Sequence, residues 1–494
     1  MKKYVYVTLL ALFSVLLTSC SQDAAPRSVD PTEAFEEAQC TFDLPDDLSS
    51  REVLCGYVSV PERHEQPDGP QIRLAVAVIK SEEPSEGVPL VYLQGGPGNS
   101  GVQLAAPLAR AFPGRTVVSF DQRGIGASQP ALTCEALNER VLISLIQGPT
   151  PSSDVTPWVE EALACQTRYL AEGIDLAAYT NEQNAADVDA LRRALGAEQI
   201  DLLGASYGSF LGLTVLKNYS EGVRVAVLDS VVPLDGRVPR PEALDGSLRT
   251  LFAACKADAA CGSAYPDLET SYVEALERVR SEPITIPLTS PGGATFEVQI
   301  TDISLVSLTF LSMYSVDLIP VIPALLASLQ AGDERLLAEL VGQGAGAFAN
   351  DEMTWGAAIS LGADGAASEE EADLPAGLLP GMPLILDPIN RFYDEVLPQW
   401  ATYSPAQAPG GTNISDVPTL LLAGEYDPTT PVENAERAAQ GLSQSLVLGV
   451  PATSHDTWAS SSCVQSVIRS FLDNPDATPD TECFSDLALT FVTP

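Results

Sequence analysis

Short apolar runs, each ending at glycine or at a polar residue, recur along the first half of the chain. Examples are residues 88–93, 200–203 and 223–228. Helical patterns lie between them, such as 180–195, where Ala, Val and Leu recur at helical spacing and Asn181 is the expected cap. Strands that alternate with helices form a parallel sheet covered on both faces. We therefore predict an α/β fold with its functional residues at the carboxyl ends of the strands.

The middle of the chain, residues 236–405, lacks this alternation and is predicted to be an inserted helical cap. With 494 residues, 45% of them hydrophobic, the chain is long enough for one large domain with an insertion. We assign residues 40–235 and 406–494 to the core, because apolar runs at 417–423 and 445–450 predict that the sheet resumes there. The predicted cap helices are 244–254, 268–280, 303–311 and 321–340.

The first residues have the pattern of an export signal. Lys2 and Lys3 precede an apolar run at 4–17, which is shorter than a membrane-spanning helix requires. The run ends in Leu-Thr-Ser-Cys, which resembles a bacterial lipobox. We expect residues 1–19 to be a lipoprotein signal peptide, Cys20 to carry the lipid, and residues 20–39 to be a tether. The alternative is ordinary signal cleavage near Ala24.

The remaining cysteines are even in number, which in an exported chain suggests disulfide bonds. Spacing favours pairing between sequence neighbours, although sequence alone leaves many pairings open. There is no CxxC motif or Cys/His cluster, so we expect no metal. The eight residues are Cys40, Cys55, Cys134, Cys165, Cys255, Cys261, Cys463 and Cys483.

The charge is strongly negative, with 26 Lys and Arg against 66 Asp and Glu, giving −40. Binding to phosphate backbones requires clustered cations, so we expect no nucleic-acid partner. We expect contact with a membrane through the lipid anchor alone, at the cell envelope and at the outer membrane if the cell is Gram-negative. Charge does not indicate the oligomeric state.

The pentapeptide Gly204-Ala205-Ser206-Tyr207-Gly208 lies between an apolar strand and an apolar helix. This is the setting of a G-x-S-x-G nucleophile elbow, in which Ser206 occupies a sharp strand-to-helix turn. Side chains at positions 204 and 208 would collide with neighbouring backbone there. The alternative is a plain Gly/Ser turn.

A serine hydroxyl needs a base to accept its proton, and the chain has two histidines. His455 follows an apolar segment in a polar loop, whereas His64 lies in a loop expected to be exposed. Asp427, just after the predicted strand at 417–423, is the candidate acid that orients the imidazole. Competing acids are Asp229, after an earlier strand, and Glu425.

The tetrahedral intermediate of such chemistry requires backbone N–H donors. Tyr207, which follows the serine, supplies one candidate. Gly96 supplies the second, with Gly95 as the alternative, because Pro97 has no N–H group. The loop at 121–128 lacks the glycine pattern of a dinucleotide site and is interpreted as structural.

Together these motifs resemble those of the α/β-hydrolase serine exopeptidases grouped around proline iminopeptidase and tripeptidyl aminopeptidase. The resemblance covers about 40–490 and includes residues 55–61, 95–101 and 121–128 as well as the elbow. The C-terminal part resembles the TAP-like module in residues 427–431 and 454–464.

The resemblance implies an α/β-hydrolase fold with a helical cap and Ser206, Asp427 and His455 as a catalytic triad. It implies an aminopeptidase that releases short peptides or amino acids through an acyl-enzyme on Ser206, without metal or cofactor. This chain departs from the family pattern in four places: Gln94 replaces a frequent His, Asp456 replaces a usual Gly, and Leu361 and Leu397 stand where relatives often carry a Cys pair.

The cap is where the substrate would be selected. Asp364 and Glu352 are candidate cap carboxylates that could hold the free amine of a peptide. An esterase or acylamide hydrolase of the same fold is the alternative function, and an apolar cap pocket would favour it. A non-catalytic binding protein is the remaining alternative.

Overall fold

A nine-stranded sheet forms the centre of the computed structural model, which describes residues 35–82, 87–149, 153–235, 240–289, 295–350, 353–364, 375–385, 387–402 and 414–494. The strand order is β1-β2-β3-β5-β4-β6-β7-β10-β11. The pairings β1–β2, β2–β3 and β3–β5 are antiparallel, and the six strands from β5 to β11 in this order run parallel to one another. The strands are β1 Phe35–Glu37, β2 Val53–Pro61, β3 Gln71–Ile79, β4 Leu90–Leu93, β5 Val117–Phe120, β6 Ile200–Ala205, β7 Val223–Asp229, β8 Ile284–Thr289, β9 Thr295–Ile300, β10 Thr419–Gly424 and β11 Ser445–Val450.

Helices cover both faces of this sheet, because its central strands are apolar on both sides. All residues of β4, β5, β6 and β10 are buried. The helices of the described residues are α1 Ala105–Ala111, α2 Glu135–Gln147, α3 Thr156–Ala171, α4 Asn181–Ala194, α5 Tyr207–Tyr219, α6 Arg240–Ala257, α7 Ala259–Ala264, α8 Leu268–Ser281, α9 Asp302–Met313, α10 Ile322–Gln330, α11 Arg335–Asn350, α12 Trp355–Ala363, α13 Asp387–Val396, α14 Val432–Ala439 and α15 Ser462–Asp473.

The predicted core strands are all present, with two differences in detail. Phe35–Glu37 pairs antiparallel with β2, so the sheet begins inside the segment expected to be a tether. The cap of α4 is Thr180 rather than Asn181, because the Thr180 hydroxyl accepts the amide hydrogen of Gln183.

The segment between β7 and β10 has its own apolar cluster, built from α6, α8, α9 and α10. It also contains an antiparallel pair, β8 and β9, which the prediction of a mainly helical cap did not include. Ile284, Ile286 and Leu288 are buried at alternate positions, a period of two that indicates a strand. The predicted helix at 321–340 is two helices, α10 and α11, separated at 331–334.

Four disulfide bonds join the eight cysteines in the pairing that spacing favoured. They lie both in the core and in the inserted segment, and each links residues close in sequence. The helices within the described part of the chain are all too short or too polar to cross a bilayer. The pairs are Cys40–Cys55, Cys134–Cys165, Cys255–Cys261 and Cys463–Cys483.

Candidate active site

Ser206 lies between the end of β6 and the first residue of α5, at a φ of 55° and a ψ of −125°. A positive φ is rare for a non-glycine residue and marks strain that functional sites often retain. The turn closes tightly: a Cβ at Gly204 would overlap the Gly208 carbonyl, and one at Gly208 would overlap the Leu93 carbonyl. The glycines therefore have the steric role expected of them in a nucleophile elbow.

The candidate acid and base are in direct contact. Asp427 Oδ2 lies 2.8 Å from His455 Nδ1, and the two side chains are 0% and 7% exposed. Asp427 Oδ1 accepts the amide hydrogens of Thr429 and Thr430, both at 2.8 Å, and the Thr430 hydroxyl donates to Oδ2 at 2.6 Å. The carboxylate is thus fixed on both oxygens while it faces the imidazole.

The charges of this pair shift both pKa values. Burial alone would raise the pKa of Asp427, but the neighbouring His455 and the hydrogen bonds from Thr430 hold it below its ordinary value. Burial alone would lower the pKa of His455, but the charge and hydrogen bond of Asp427 raise it to about 9. The pair therefore favours a positively charged imidazole beside an ionised carboxylate.

Residues at the end of β7 hold the serine and histidine segments together. The Ser206 amide donates to the Asp229 carbonyl at 3.0 Å, and the Asp456 amide donates to the Ser230 hydroxyl at 2.9 Å. Among the described residues, no hydrogen bond joins the Ser206 hydroxyl to His455. Such bonds often tighten only when substrate is bound.

The inserted segment covers the histidine. The Tyr314 ring, just after α9, meets the His455 ring edge-on with centroids 4.7 Å apart. The Tyr314 hydroxyl also lies 2.5 Å from the Thr429 hydroxyl, and the Ser454 hydroxyl donates to the Met313 carbonyl. These contacts exclude water from one side of the imidazole.

The loop after β4 lies against the serine. A Cβ at Gly95 would come within 2.9 Å of Ser206 Cβ, so Gly95 is in immediate contact with the candidate nucleophile. Gly96 follows at a φ of 113°, a conformation that favours glycine. The amide of Tyr207 begins α5, where unpaired helix N–H groups attract negative charge.

A chain of buried polar side chains runs from this loop to the inserted segment. Gln122 donates to the Gln94 carbonyl at 2.9 Å and accepts from Asn184 at 2.7 Å. Asn184 also donates to the Tyr207 hydroxyl at 3.3 Å, and that hydroxyl donates to Asn181 at 2.7 Å. Neither Gln122 nor Asn184 was expected from the sequence, because amides separated by many residues leave no local pattern.

Asp364 lies at the far end of this chain. Its Oδ2 accepts from the Asn181 amide at 2.6 Å and from Asn181 Nδ2 at 3.0 Å. Burial, together with the charge and hydrogen bond of Glu182, raises the pKa of Asp364 to about 6. Two carboxyls therefore meet here, one of them missed by sequence analysis. Two other sequence candidates, Glu352 and Cys20, lie outside the described residues.

The competing candidates have different surroundings. The His64 side chain is 17% exposed and its Nε2 lies 2.7 Å from Asp187, so it is not the solvated imidazole that was expected. Asp187 also binds the fully buried Arg123 through both carboxylate oxygens, in keeping with a structural role for the 121–128 loop. The Asp229 carboxylate contacts residues that follow His455 rather than its ring.

A cavity of about 850 Å³ opens beside the acid loop. Its lining includes Ser247, whose hydroxyl donates to the Asp427 carbonyl at 2.8 Å, and the carboxylates of Glu242, Glu425 and Glu433. Asp427 also lines this cavity, whereas Ser206 and His455 are not among its lining residues.

Comparison with family models supports the fold described above. Residues 88–277 match the α/β hydrolase fold, and residues 393–483 match the TAP-like protein family. The chain has the α/β-hydrolase fold. The serine, acid and base candidates each follow a different strand of its sheet, with Ser206 in the first matched region and Asp427 and His455 in the second.

Several curated proteins are similar to parts of this chain. A segment of 227 residues is 34% identical to the tripeptidyl aminopeptidase of Streptomyces lividans and covers 42% of this chain and 40% of that protein. A segment of 275 residues is 26% identical to serine protease Hip1 of Mycobacterium tuberculosis and covers 51% of this chain and 52% of that protein. A segment of 240 residues is 28% identical to carboxylesterase B of the same species and covers 45% of each. The matched segments thus span about half of these relatives or less.

Proposed function

We propose that this protein is an exported serine peptidase of the aminopeptidase type. The observation that supports it most is the 2.8 Å contact between Asp427 and His455 at the strand ends next to a strained serine. In this proposal Ser206 is the nucleophile, His455 the base and Asp427 the acid that orients it. The peptidase names of two similar proteins favour this activity over others of the fold.

The proposed reaction has two stages. The Ser206 oxygen attacks the peptide carbonyl as its proton passes to His455, and the N–H groups of Tyr207 and Gly96 stabilise the oxyanion. His455 then donates that proton to the leaving amine, the C–N bond breaks, and an acyl-enzyme remains. Water, deprotonated by His455, cleaves the ester and restores the serine.

Asp364 and Glu182 are the proposed site for the free amine of the substrate. Besides burial, the charge of Glu182 raises the pKa of Asp364, and a cation between the two carboxyls would offset that repulsion. Within the described residues, no salt bridge links either of them to a cationic side chain. A substrate ammonium would supply the missing charge, and Asn181 connects this pair to Tyr207, next to the nucleophile.

Two substrates would test the amine site. Hydrolysis of a tripeptidyl anilide with a free N-terminus should exceed that of its N-acetylated analogue, and Asp364→Asn should raise KM for the free-amine substrate alone. Glu482→Gln, at a carboxylate in another part of the chain, is a matched control. Equal KM values for the two substrates in the parent protein would contradict the amine site.

An esterase is the second candidate function, since part of the chain also resembles a carboxylesterase. Faster hydrolysis of short-chain esters than of all peptidyl anilides would favour it. Ser206→Ala should abolish both activities. If both survive that substitution, the assigned nucleophile is wrong; if the parent protein has neither activity and binds peptides, it is a binding protein.

Export through a lipid anchor on Cys20 is also proposed. Four disulfide bonds favour an oxidising compartment. Labelling with radioactive palmitate in a bacterial host should mark the parent protein and not Cys20→Ala. Incorporation into both would exclude Cys20 as the lipidated residue.

A further inference from the structure

A buried glutamine contacts the loop that carries the second candidate oxyanion donor. Gln122, in the loop after β5, is 1% exposed, and its Nε2 donates to the Gln94 carbonyl at 2.9 Å. That carbonyl belongs to the peptide unit that joins Gln94 to Gly95, and Gly95 lies against Ser206. In a planar trans peptide unit the N–H points opposite to the carbonyl. The bond from Gln122 therefore fixes the direction of both groups of this unit.

The loop of residues 94–98 needs contacts of this kind to hold one conformation. Residues 95, 96 and 98 are glycines, and Gly96 and Gly98 have φ values of 113° and 116°. Glycine has more accessible backbone conformations than other residues, so folding alone restricts such a loop weakly. Reversal of a peptide unit here would exchange a hydrogen-bond donor and an acceptor beside Ser206.

Two hydrogen bonds hold this loop, one on each side of Gly96. The bond from Gln122 to the Gln94 carbonyl lies on one side. On the other side the Gly98 carbonyl accepts the amide hydrogen of Thr354, just before α12, at 3.0 Å. The core and the inserted segment thus each supply one donor to the loop.

Asn184, on α4, sets the orientation of the Gln122 amide. It is 0% exposed, and its Nδ2 donates to Gln122 Oε1 at 2.7 Å. Because the oxygen of the Gln122 amide accepts this bond, its nitrogen faces the Gln94 carbonyl. Asn184 Nδ2 also donates to the Tyr207 hydroxyl at 3.3 Å, and the Tyr207 amide is the other candidate oxyanion donor. One pair of buried amides therefore contacts both parts of the proposed oxyanion hole.

We propose that Gln122, oriented by Asn184, is a positioning residue that holds the loop of residues 94–98 in the conformation that binds the oxyanion. This inference rests on the proposed role of Ser206 as the nucleophile. Burying an amide is costly unless it is hydrogen-bonded, and the bonds of Gln122 go to this loop and to Asn184. The effect belongs to the transition state, because the substrate oxygen becomes an anion only after attack.

Gln122→Met tests this kinetically, because methionine is similar in length and lacks the amide. We expect kcat for a tripeptidyl anilide to fall about 10- to 100-fold with little change in KM, since outright loss of an oxyanion donor costs about 10²- to 10³-fold. A tripeptidyl aldehyde forms a bond between its carbonyl carbon and Ser206 Oγ while the serine proton passes to His455. Its affinity should fall by a similar factor. The matching alcohol has no carbonyl and should bind as before.

Gln122→Glu supplies a conservative variant with a signature in pH. It keeps the size of the side chain and an oxygen for Asn184, but its other oxygen donates to the Gln94 carbonyl only when the carboxyl is protonated. Its kcat relative to that of the parent protein should therefore be highest at acid pH and fall as pH rises. Burial raises the pKa of such a carboxyl, so equal impairment at acid and alkaline pH would overturn the inference.

Two other glutamines provide matched controls. Gln183 is 8% exposed and also bonds through both ends of its amide, to the His64 amide at 2.8 Å and to Glu65 at 2.7 Å. Gln183→Met should keep the kcat and the aldehyde affinity of the parent protein. Gln440→Glu, at an exposed position, should show a kcat ratio to the parent protein that does not change with pH.

An NMR measurement detects the peptide unit without turnover. Glutamine labelled with ¹³C at the carbonyl and glycine labelled with ¹⁵N give one correlation for each Gln-Gly step, and the chain has four, beginning at residues 94, 147, 343 and 440. Gln94→Met assigns the first signal by its loss. Gln122→Met should shift that signal and leave the other three in place. An unshifted signal would overturn the inference, as would a shifted signal with unchanged kcat and aldehyde affinity.

The two measurements separate this inference from the proposed function. An inactive parent protein whose Gln94–Gly95 signal shifts in Gln122→Met would contradict the proposed function and leave the positioning of the loop by Gln122 intact. An active parent protein whose kcat and aldehyde affinity are the same in Gln122→Met would contradict the positioning role alone.

Discussion

Removing the Thr430 hydroxyl should lower the activity of the candidate site without removing a residue of the proposed triad. Its Oγ1 donates to Asp427 Oδ2 at 2.6 Å and lies 3.3 Å from His455 Nδ1, so it helps to place the oxygen that faces the imidazole. A hydrogen bond to a charged group contributes about 1.5–3 kcal/mol. In Thr430→Val, Asp427 still accepts hydrogen bonds from two backbone amides and still contacts His455, so only part of this stabilisation should be lost.

We therefore expect kcat/KM to fall roughly 10- to 100-fold in Thr430→Val, because about 1.4 kcal/mol of transition-state stabilisation corresponds to tenfold. The decrease should appear in kcat, since Thr430 does not reach the proposed amine site. The measurement is steady-state hydrolysis of a tripeptidyl anilide at several pH values, with thermal unfolding followed in parallel.

Two neighbouring variants are matched controls. Thr430→Ser retains the hydroxyl and should recover most of the activity. Thr429→Val removes a hydroxyl from the same loop that contacts Tyr314 rather than the Asp427 side chain, and should have a smaller effect on kcat. If Thr430→Val has the kcat of the parent protein, or if Thr430→Ser is equally impaired, the hydroxyl does not act through Asp427.

Three further predictions concern pH, the elbow and the disulfide bonds. Because the pKa of His455 is raised to about 9, its imidazole is mostly protonated at neutral pH. The value of kcat/KM should therefore keep rising above pH 7 in a pH–rate profile. A profile in which kcat/KM has already reached its plateau by pH 6 would contradict this. Gly208→Ala should destabilise the fold by about 1–3 kcal/mol in urea unfolding, because the methyl group overlaps the Leu93 carbonyl, whereas Gly246→Ala, with open space at its Cβ, should be neutral or stabilising. Replacing Cys134 and Cys165 by Ser removes a disulfide bond between residues 31 apart in sequence and should lower the free energy of unfolding by about 4 kcal/mol in the same assay. An unchanged unfolding midpoint would show that this disulfide bond is absent in solution.

Local patterns were sufficient to predict the elbow and the sheet apart from its edge strand β1. Apolar runs that end at Gly or Asp identify β6, β7 and β10, and the glycines around Ser206 are required by overlaps within a few residues. The hairpin β8–β9 was missed because its alternation is short and lies among strong helical patterns. Its buried side chains, such as Ile286 and Val298, pack on the inserted segment rather than on the main sheet.

Contacts between distant residues could not be predicted in this way. His64 was expected to be solvated, but Asp187, 123 residues later, binds its ring. Glu182 meets Asp364 only because α4 and the end of α12 adjoin in three dimensions. The sequence also left Gly95 as an alternative to Gly96 in the oxyanion loop, and the structure places Gly95 against Ser206.

The position of Asp229 explains how the site is assembled. Ser206, Asp229, Asp427 and His455 follow or end four neighbouring strands, β6, β7, β10 and β11. Three strand spacings of about 4.8 Å separate the first strand from the last, so a histidine directly above β11 would lie roughly 14 Å from the serine. For His455 to reach Ser206, the loops after β10 and β11 must therefore extend toward the end of β7. Hydrogen bonds to the end of β7 hold the loop after β11 in this position. The Asp229 carboxylate accepts from Thr457 and Trp458, and the Ser230 hydroxyl accepts from the Asp456 amide. Because the Asp229 carbonyl also accepts the Ser206 amide hydrogen, β7 is bonded both to the segment of the candidate nucleophile and to the segment that follows the candidate base.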